Sequence, residues 1–457
     1  MPIVEQRGTL PDLDRSAQEQ VQIIGSIQPH GVLFALSEAD LVVRQVSANI
    51  SLLLGISPDL VLGRSFEAVL GAEQFARFRS QVLGGEPLAA TQLRVPVSGS
   101  ALEMQMYCAP HRHDGVLLAE LEPSQGAHSL EPLDIDAHIR IPLSRLEAAF
   151  DIPELARVTA IEIGKLTGFG RVMIYCFDEE WNGEVIAEVA VDSPVSYFGL
   201  RFPASDIPAQ ARQLFLINPL RTIVDVNAAG EAIVPGIGPP TGRALDLTRS
   251  VLRSVSPIHL EYLRNMGVQS SMTISIIIAQ RLWGLIACHH PQPRRMAPSI
   301  RAVCELIAQT FASQIASRID NAVLLSRLNS RERLDRILAG IEAAGSFLDA
   351  ALSEGPRMMD LFDADGLVSR TDRVISSHGD VLETEAMLPV IDKLREIASQ
   401  GIANSNALGK LESGIGPYSN QASGALYLSL AETPTCSSPS IRGSCSSACG
   451  SFTSCFR

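Results

Sequence analysis

Histidine and cysteine side chains are common metal ligands and can act as nucleophiles, and one run of this sequence holds both. Cys288, His289 and His290 follow one another in a strand-like segment. Neighbouring residues of a strand point to opposite faces, so these three side chains cannot converge on one ion. None of the eight cysteines forms a CxxC pair or a Cys/His zinc pattern. The sequence therefore predicts no metal site and no catalytic residue.

The eight cysteines fall into two groups. One group is scattered through apolar segments and is expected to act as small buried hydrophobes: Cys108, Cys176, Cys288 and Cys304. The other group lies close to the end of the sequence: Cys436, Cys445, Cys449 and Cys455. In a reducing cytosol all eight are expected to be free thiols.

Charged side chains in the middle of the sequence could bind an anion or begin a helix. Ser205-Asp206-Ile207-Pro208 predicts a helix start with Ser205 as the N-cap and Pro208 in the first turn. Asp206 would there complement the helix dipole, an effect of ~0.3–1 kcal/mol. The guanidinium forks of Arg221 and Arg253 match a carboxylate in two-point contact, although a single arginine is more often a solvated surface charge.

The composition is that of a globular protein with an acidic surface. Among 457 residues, 46% are hydrophobic and the formal net charge is −13. An acidic field repels phosphate backbones, so nucleic-acid binding is not expected. The N-terminal residues have no signal-peptide pattern, and no apolar run approaches the ~18 residues that span a bilayer. We expect a cytoplasmic protein without membrane contact.

The first half of the sequence predicts an α+β fold in two modules. Residues 1–25 are polar and are expected to form a flexible arm. In residues 26–125 short apolar runs alternate with turns around a helical patch, which predicts a small antiparallel sheet flanked by helices. Pro96 places its strand at an edge of this sheet. Residues 137–312 combine a helix at 146–166 with strands at 172–177, 185–191, 271–278 and 282–288.

The second half predicts a long helix, a third module and a tail. Apolar residues at helical spacing predict one helix over 299–330, either a core helix or the start of a dimeric signalling rod. Residues 313–433 form the third module, with a helix at 334–352 and a strand at 425–430. Residues 434–457 are rich in Ser and Cys without an apolar period, which predicts disorder and is typical of a shifted reading frame.

Four motifs in register carry a resemblance to a known family. They occur in this order: Gly25-Ser-Ile-Gln-Pro-His-Gly31, Phe202-Pro-Ala-Ser-Asp-Ile-Pro-Ala-Gln-Ala-Arg212, Ser256-Pro-Ile-His-Leu-Glu-Tyr-Leu-Arg-Asn-Met-Gly267 and Leu282-Trp-Gly-Leu-Ile-Ala-Cys-His-His290. Together they resemble bacteriophytochromes, which join PAS, GAF and PHY domains. The resemblance implies a PAS domain at 26–125, a GAF domain at 137–312 and a figure-of-eight knot in which Ile27 passes through a GAF loop. Residues 313–433 would be part of a PHY domain.

The resemblance also implies a pocket for a bilin, a long conjugated tetrapyrrole with inner N–H groups and two propionates. Asp206 would offer a main-chain carbonyl to the pyrrole N–H groups, and Arg221 and Arg253 would bind the propionates. His259 would lie against the inner pyrroles and His289 would hydrogen-bond the terminal ring. The remaining implied cofactor-binding residues are Tyr175, Phe202 and Tyr262 around the isomerising ring, Ile207, Pro208 and Phe215, and the hydroxyls of Ser271 and Thr273.

The sequence departs from the family pattern at the attachment positions. Bacterial members bind biliverdin through a cysteine nine residues before the glycine that matches Gly25, and that position is Ser16. Relatives from plants and cyanobacteria use a GAF cysteine at the position of Ile258. A serine hydroxyl supplies almost no nucleophilic anion at neutral pH. Phe215 replaces a pocket tyrosine of the family. We expect any bilin to be held without a covalent bond.

Two further hypotheses stay open beside a photoreceptor module that binds biliverdin non-covalently. The chain could be a chromophore-free regulatory protein, with or without a redox response through its thiols, or the remnant of a frameshifted gene. The expected partners are a second copy of the chain, through GAF and long-helix surfaces, and a downstream signalling protein. Neither the hairpin tongue of the PHY domain nor a histidine-kinase module is expected here, so the chain is not expected to be an enzyme.

Overall fold

A computed structural model describes residues 20–84, 88, 90–100, 102–124, 135–191, 195–239, 242–344, 347–371, 375–405, 408, 424–429 and 450–456. The chain divides into two compact units, the first ending at Ile319 and the second beginning at Asp320. The fold is α+β with antiparallel sheets, as the sequence predicts. In the described part of the chain, no helix has both the length and the apolar character needed to cross a membrane.

The first module of unit one is a sheet with helices on one side. Its strands are β1 (Ser26–Ile27), β2 (Val32–Ser37), β3 (Val43–Ser47), β4 (Thr91–Pro96), β5 (Glu103–His113) and β6 (Val116–Pro123). Its helices are α1 (Ile50–Leu54), α2 (Glu67–Leu70) and α3 (Ala72–Leu83). Phe34, Phe66 and Phe78 are fully buried between the layers. β4 is the last strand of the sheet, which confirms the edge position predicted from Pro96.

The strands of the second module are β7 (Arg171–Phe177), β8 (Gly183–Ala190), β9 (Arg201–Phe202), β10 (Leu220–Ile223), β11 (Glu231–Val234), β12 (Ser270–Ile278) and β13 (Arg281–His290). Six of them form a sheet in the order β10-β12-β13-β7-β8-β9. Its helices are α4 (Ile135–Ala148), α5 (Ile152–Thr167), α6 (Ala209–Ile217), α7 (Pro257–Asn265) and α8 (Pro298–Ala344). Every second residue of β12 and β13, such as Met272, Ile274 and Ile286, lies in a core with α5 and α8. The opposite face of the same strands is therefore available for a site.

Two helix predictions are wrong in their bounds. The helix predicted over 146–166 is broken, because α4 ends at Ala148 and the Asp151 carboxylate accepts a hydrogen bond from Glu154 N (2.8 Å) to cap α5. The gap predicted between residues 330 and 334 is absent, because α8 continues to Ala344. Arg331, Glu332 and Arg333 favour helix, and neither Gly nor Pro interrupts the segment.

Residues 25–28 lie between the two limbs of one loop of the second module. On one side β1 pairs with β11, which joins the sheet of the first module next to β3. On the other side Gln28 N donates to Leu252 O (2.7 Å) and Ser254 N donates to Ser26 O (3.0 Å). Ile27 is fully buried between these limbs. This is the arrangement that a threaded knot requires.

Glu120 of β6 fixes the second limb of the loop. Its side chain is 1% exposed and accepts hydrogen bonds from Ser250 Oγ, Val251 N (3.1 Å) and Leu252 N (3.0 Å). We expect Glu120→Ala to lower the free energy of unfolding by roughly 3 kcal/mol or more, because three donors lose a charged acceptor. Urea denaturation measures this change. Glu103→Ala is the matched control, since Glu103 is 56% exposed, and its effect should stay within about 0.5 kcal/mol. Equal losses in both variants would contradict the assignment.

The elements of unit two are α9 (Phe347–Phe362), β14 (Gly366–Thr371), β15 (Ile375–Gly379), α10 (Thr384–Ile397), β16 (Ile402–Ser405), β17 (Gly424–Ser429) and β18 (Gly450–Phe456). The strands form a five-stranded sheet in the order β15-β14-β18-β17-β16. The prediction that residues 434–457 are disordered is wrong for Gly450–Phe456. That segment pairs with β14 and β17, which lie on either side of it, and Phe and Thr favour strand.

Candidate functional site

One cavity lies on the face of the second-module sheet that α5 and α8 do not cover. It is bounded by β7, β10, β12 and β13, by α6 and α7, and by the loop before α6. All thirteen cofactor-binding residues predicted above line it: Tyr175, Phe202, Asp206, Ile207, Pro208, Phe215, Arg221, Arg253, His259, Tyr262, Ser271, Thr273 and His289. Ile258, one of the two attachment positions, also lines the cavity, whereas Ser16 lies outside the described residues.

The strand register places the polar residues of the sheet side by side. Ser271 of β12 pairs with His289 of β13, and Thr273 pairs with Arg221 of β10. Directly paired residues of an antiparallel sheet share a face. Met272 and Cys288 alternate with them and lie in the opposite core. The sheet thus presents hydroxyls, an imidazole and a guanidinium to one side of the cavity.

The buried Arg253 and the half-buried Arg221 face the cavity, and among the described residues no carboxylate lies within ion-pair distance of either, although the more distant Asp246 and Glu120 charges act on them. Arg221 donates from Nη2 to Arg253 O and to Ser254 O (2.7 Å each), and Arg253 donates from Nη1 to Val21 O (2.8 Å). Arg221 Nη1 and Arg253 Nε are buried and have no hydrogen-bond partner among the described residues. Burial lowers the pKa of both guanidinium groups, that of Arg253 to about 10. Such a pair of cations is stabilised by an anion that enters the cavity.

The loop before α6 differs from its prediction. Ser205 is not the N-cap, because Ala204–Asp206 forms a short 3-10 turn and α6 begins at Ala209 with Pro208 as its N-cap. Proline disfavours the helical region for the preceding residue, and Ile207 accordingly lies outside it, with φ −127° and ψ 87°. Asp206 therefore lies before the helix, and burial raises the pKa of its carboxyl. Arg212 holds the loop by donating to Ile207 O (2.6 Å) and Ala204 O (3.2 Å).

Aromatic rings form one end of the cavity. Tyr175 and Phe202 lie with ring centroids 6.0 Å apart, and Tyr197 meets Phe202 edge to face at 6.4 Å. Gly183 has no side chain, and a Cβ there would overlap the Tyr175 ring, so glycine is required at that position. Burial, and next the Asp206 carboxylate, raise the pKa of Tyr262 to about 12. The hydroxyl therefore remains protonated at neutral pH and can donate.

His259 and His289 are neutral at physiological pH. His259 stacks on Tyr262 with ring planes 14° apart and keeps accessible surface where it borders the cavity. The side chain is exposed to the open cavity, yet desolvation by the surrounding protein, followed by the nearby Arg221 charge, lowers its pKa to about 4. Burial and then the neighbouring His259 and Arg171 lower the pKa of His289 to about 4. Each ring can therefore donate one hydrogen bond and accept another.

These two histidines should make the bilin-free chain less stable in mild acid. The folded chain favours the neutral rings, so their contribution is complete above the unfolded pKa of 6.5 and is lost as the pH falls toward 4. We expect the unfolding free energy to fall between pH 7 and pH 5, and to fall less in the variant His289→Gln. Urea denaturation at the two pH values measures both differences. An equal or larger fall in the variant would contradict the electrostatic argument.

Several cavity residues were not predicted from the sequence. Val21 reaches the wall from the N-terminal arm, and Tyr197 comes from the segment between β8 and β9. The Arg171 guanidinium lies 4.2 Å from the centroid of the Tyr197 ring and also bonds Glu188, which accepts from Tyr197 N (2.8 Å). No local sequence pattern reports these contacts. Arg212, which holds the loop before α6 without lining the cavity, could have been found, because it closes a motif that the sequence analysis already singles out.

The fold and the cavity together define a sensory module of the PAS–GAF class. A PAS-fold family model matches residues 16–124 and a GAF-domain model matches residues 151–319. The described residues contain no group of three or more His, Cys, Asp or Glu side chains placed to hold a metal ion.

Comparison with known proteins identifies the family. A bacteriophytochrome of Xanthomonas campestris pv. campestris is 35% identical over 92% of this chain and 67% of its own length. Cyanobacterial phytochrome B of Nostoc sp. is 37% identical over 78% of this chain and 47% of its own length, so the chain spans about half of that relative. The chain belongs to the phytochrome family and forms a bacteriophytochrome sensory core.

Solved structures support the same conclusion. The crystal structure of bacteriophytochrome RpBphP3 from R. palustris matches 98% of this chain and 86% of that one, with a TM-score of 0.84 and 33% identity. The photosensory core module of the Stigmatella aurantiaca phytochrome matches 88% of this chain and 79% of that one, with a TM-score of 0.77 and 33% identity.

Proposed function

We propose that the chain is a light-sensing module that holds biliverdin non-covalently in the GAF cavity. One observation carries this proposal. Arg253 is buried and Arg221 is half-buried, each has one buried N–H group without a hydrogen-bond partner at the cavity wall, and the described residues place no carboxylate within ion-pair distance of either. A ligand that brings two carboxylates and a long apolar body meets both requirements. A bilin has this composition.

The other cavity residues fit the remaining parts of such a ligand. The Asp206 carbonyl would accept from pyrrole N–H groups beside the His259 ring. His289 would hydrogen-bond the terminal ring, and Ser271 and Thr273 would add hydroxyls on the propionate side. The apolar slot around the isomerising ring would be formed by Tyr175, Phe202 and Tyr262, with Ile207, Pro208 and Phe215 along the wall.

When bound, the bilin supplies red-light absorption and isomerisation about a double bond of its conjugated system. The task of the chain is to orient it and to exclude water. Neutral histidines can donate to carbonyl groups without placing a third cation beside the two arginines. Protonated tyrosines can do the same at the other end of the cavity.

Titration with biliverdin tests the proposal. We expect a sharpened, red-shifted visible band that saturates at one bilin per chain, and loss of that band on denaturation. Micromolar affinity, about 8 kcal/mol, is within reach of a large apolar ligand without a covalent bond. A spectrum that stays that of free biliverdin at micromolar concentrations of the chain would overturn the proposal.

The described cysteines do not favour the redox alternative. Cys108, Cys288 and Cys304 are buried, and burial raises the pKa of all three thiols, that of Cys304 to about 12. Burial raises the pKa of the half-buried Cys176 to about 11. Thiols of this kind are poor nucleophiles at neutral pH. Cys436, Cys445 and Cys449 lie outside the described residues.

We also propose that two copies of the chain associate and pass the signal to a downstream protein in the cytoplasm. Helix α8 supports this, because a series of its apolar residues is exposed: Ile319, Val323, Leu324, Leu325, Leu328, Leu334 and Leu338. Such a face is typical of helices that pack against a partner helix. Unit two, with its sheet covered by α10, is proposed to be part of a PHY domain.

A further inference from the structure

A second cavity lies where residues 24–30 cross the GAF domain. It encloses ≈ 680 Å³, a volume typical of small-molecule sites. The Gly25–Gly31 motif, which the proposed bilin site does not use, supplies one wall through Ser26, Gln28, Pro29 and His30. The GAF domain supplies the opposite wall between the end of β10 and Gly230, and at the start of α7.

Two polar side chains with little exposed surface at this cavity make no hydrogen bond within the described part of the chain, although Glu122 lies near one of them. His30 has a 9% exposed side chain, and neither of its ring nitrogens has a hydrogen-bond partner within the described part of the chain. Ser254 is 8% exposed, and its Oγ likewise has no partner there. Buried polar groups of proteins are nearly always satisfied, so these atoms point to a binding partner.

The charges around His30 define which hydrogen bonds it can make. Glu122 Oε2 lies 3.6 Å from His30 Nε2, and Glu122 also pairs with Arg301. Burial lowers the pKa of His30 to about 4, the Glu122 charge opposing this effect. A neutral ring that directs Nε2–H toward Glu122 leaves Nδ1 as an acceptor. Ser254 Oγ and the carboxylate of Asp225 can accept at the same cavity.

We propose that this cavity is a second binding site, for a small neutral molecule with an apolar ring and an N–H or O–H donor. The apolar ring would pack against Val224, Val255, Pro257 and Leu260, and the donor would bind one of the acceptors. A cation would meet the charge of Arg301 beside His30, and an anion would meet Asp225 and Glu122. Neutral ligands avoid both repulsions.

Binding here would reach the bilin site through a shared wall. Ile223, Ser254 and Val255 line both cavities, and Ser254 O accepts one of the two hydrogen bonds that Arg221 Nη2 donates. A ligand that orders this segment should help to fix the Arg221 fork. This step rests on the proposed bilin function. Coupling between binding sites is reciprocal, and we expect about a fivefold gain in bilin affinity.

Indole and 1-methylindole are matched probes, because only indole has an N–H donor. With the bilin-free chain, ligand-observed NMR should show saturable indole binding at millimolar concentrations and at least about fivefold weaker binding of 1-methylindole. Ser254→Ala should reduce this difference between the probes. Ala228→Phe, which fills the cavity, should abolish the binding of both, and Ala229→Phe at a more exposed wall position is a second blocking variant.

The outcomes separate the second site from the bilin cavity. Indole binding that persists in both blocking variants would place the probe elsewhere and overturn the proposal. Equal binding of both probes to the unsubstituted chain would show that the acceptors play no role, and it would overturn the proposal. Binding of neither probe would show that solvent alone satisfies the acceptors, which would also overturn it. Because these measurements use the bilin-free chain, they stand even if biliverdin fails to bind. An unchanged bilin affinity at saturating indole would overturn only the coupling.

Discussion

Incubation of the Ser16→Cys variant with biliverdin is expected to give a covalent adduct, whereas the unsubstituted chain gives none. A thiol offers a few per cent of nucleophilic thiolate at neutral pH, and a serine hydroxyl offers almost none. The other attachment position, Ile258, is on the cavity wall and has no nucleophile. Ser16 stands five positions before Val21, which lines the cavity, and five extended residues reach at most about 17 Å.

Zinc-enhanced fluorescence of the protein band after denaturing electrophoresis measures the adduct. Ser51→Cys is the matched control, since Ser51 is an exposed residue of α1 in the first module, and it should give no fluorescence. Fluorescence of the unsubstituted chain would contradict the prediction directly. If Ser16→Cys stays dark while Ile258→Cys reacts, the arm rather than the cavity is unsuited to attachment.

Replacing Arg253 by methionine should change stability and affinity in opposite directions. In the bilin-free chain the substitution removes a buried cation that repels Arg221 and that has no carboxylate within ion-pair distance among the described residues, and the opposing attraction to the Asp246 charge is smaller than the cost of burial. We expect the unfolding free energy to rise by about 1 kcal/mol or more. Loss of a charged hydrogen bond to a propionate should weaken biliverdin binding about 10- to 100-fold, from ~1.5–3 kcal/mol.

Urea denaturation and spectral titration of the same preparation measure these two effects. Arg264→Met on α7 is the control, because Arg264 is exposed and donates to Val226 O (2.8 Å) and Asn227 Oδ1 (3.2 Å) away from the cavity. That variant should lose some stability and keep its biliverdin affinity. A variant Arg253→Met that loses stability while keeping full affinity would show that Arg253 serves the fold and not the ligand.

Local sequence patterns predict the strands and the long helix better than they predict the loops. In β12 and β13, residues of the apolar core alternate with residues of the cavity wall, because the two faces of these strands have different neighbours. The N-cap expected at Ser205 is wrong, because the restriction that Pro208 imposes on Ile207 outweighs the capping preference of serine. Strand β18 could not be predicted, because its order depends on pairing with β14 and β17 and not on its own composition.

The cavity residues were predicted through the resemblance to the family, which four motifs carry, and not through periodicity. Asp206, His259 and His289 come from separate segments, and no spacing within one segment places them together. The family motifs place these three residues together because a chain that resembles the family is expected to share its fold. Val21 and Tyr197 lie outside those motifs, and only the folded chain brings them to the wall.

The position of residues 25–28 between the limbs of a single loop has a consequence for how the protein is made. During synthesis this segment leaves the ribosome about two hundred residues before Glu231–Val234 and Leu252–Ser254, a delay on the order of ten seconds or more. The loop can then close around a segment that is already in place against its own sheet. When a complete chain is diluted from denaturant, residues 25–28 and the loop fold at the same time. The segment must then enter a loop that is already forming. Translation from the N-terminus therefore suits this topology, and refolding from denaturant should be slower and give a lower yield of active protein than synthesis.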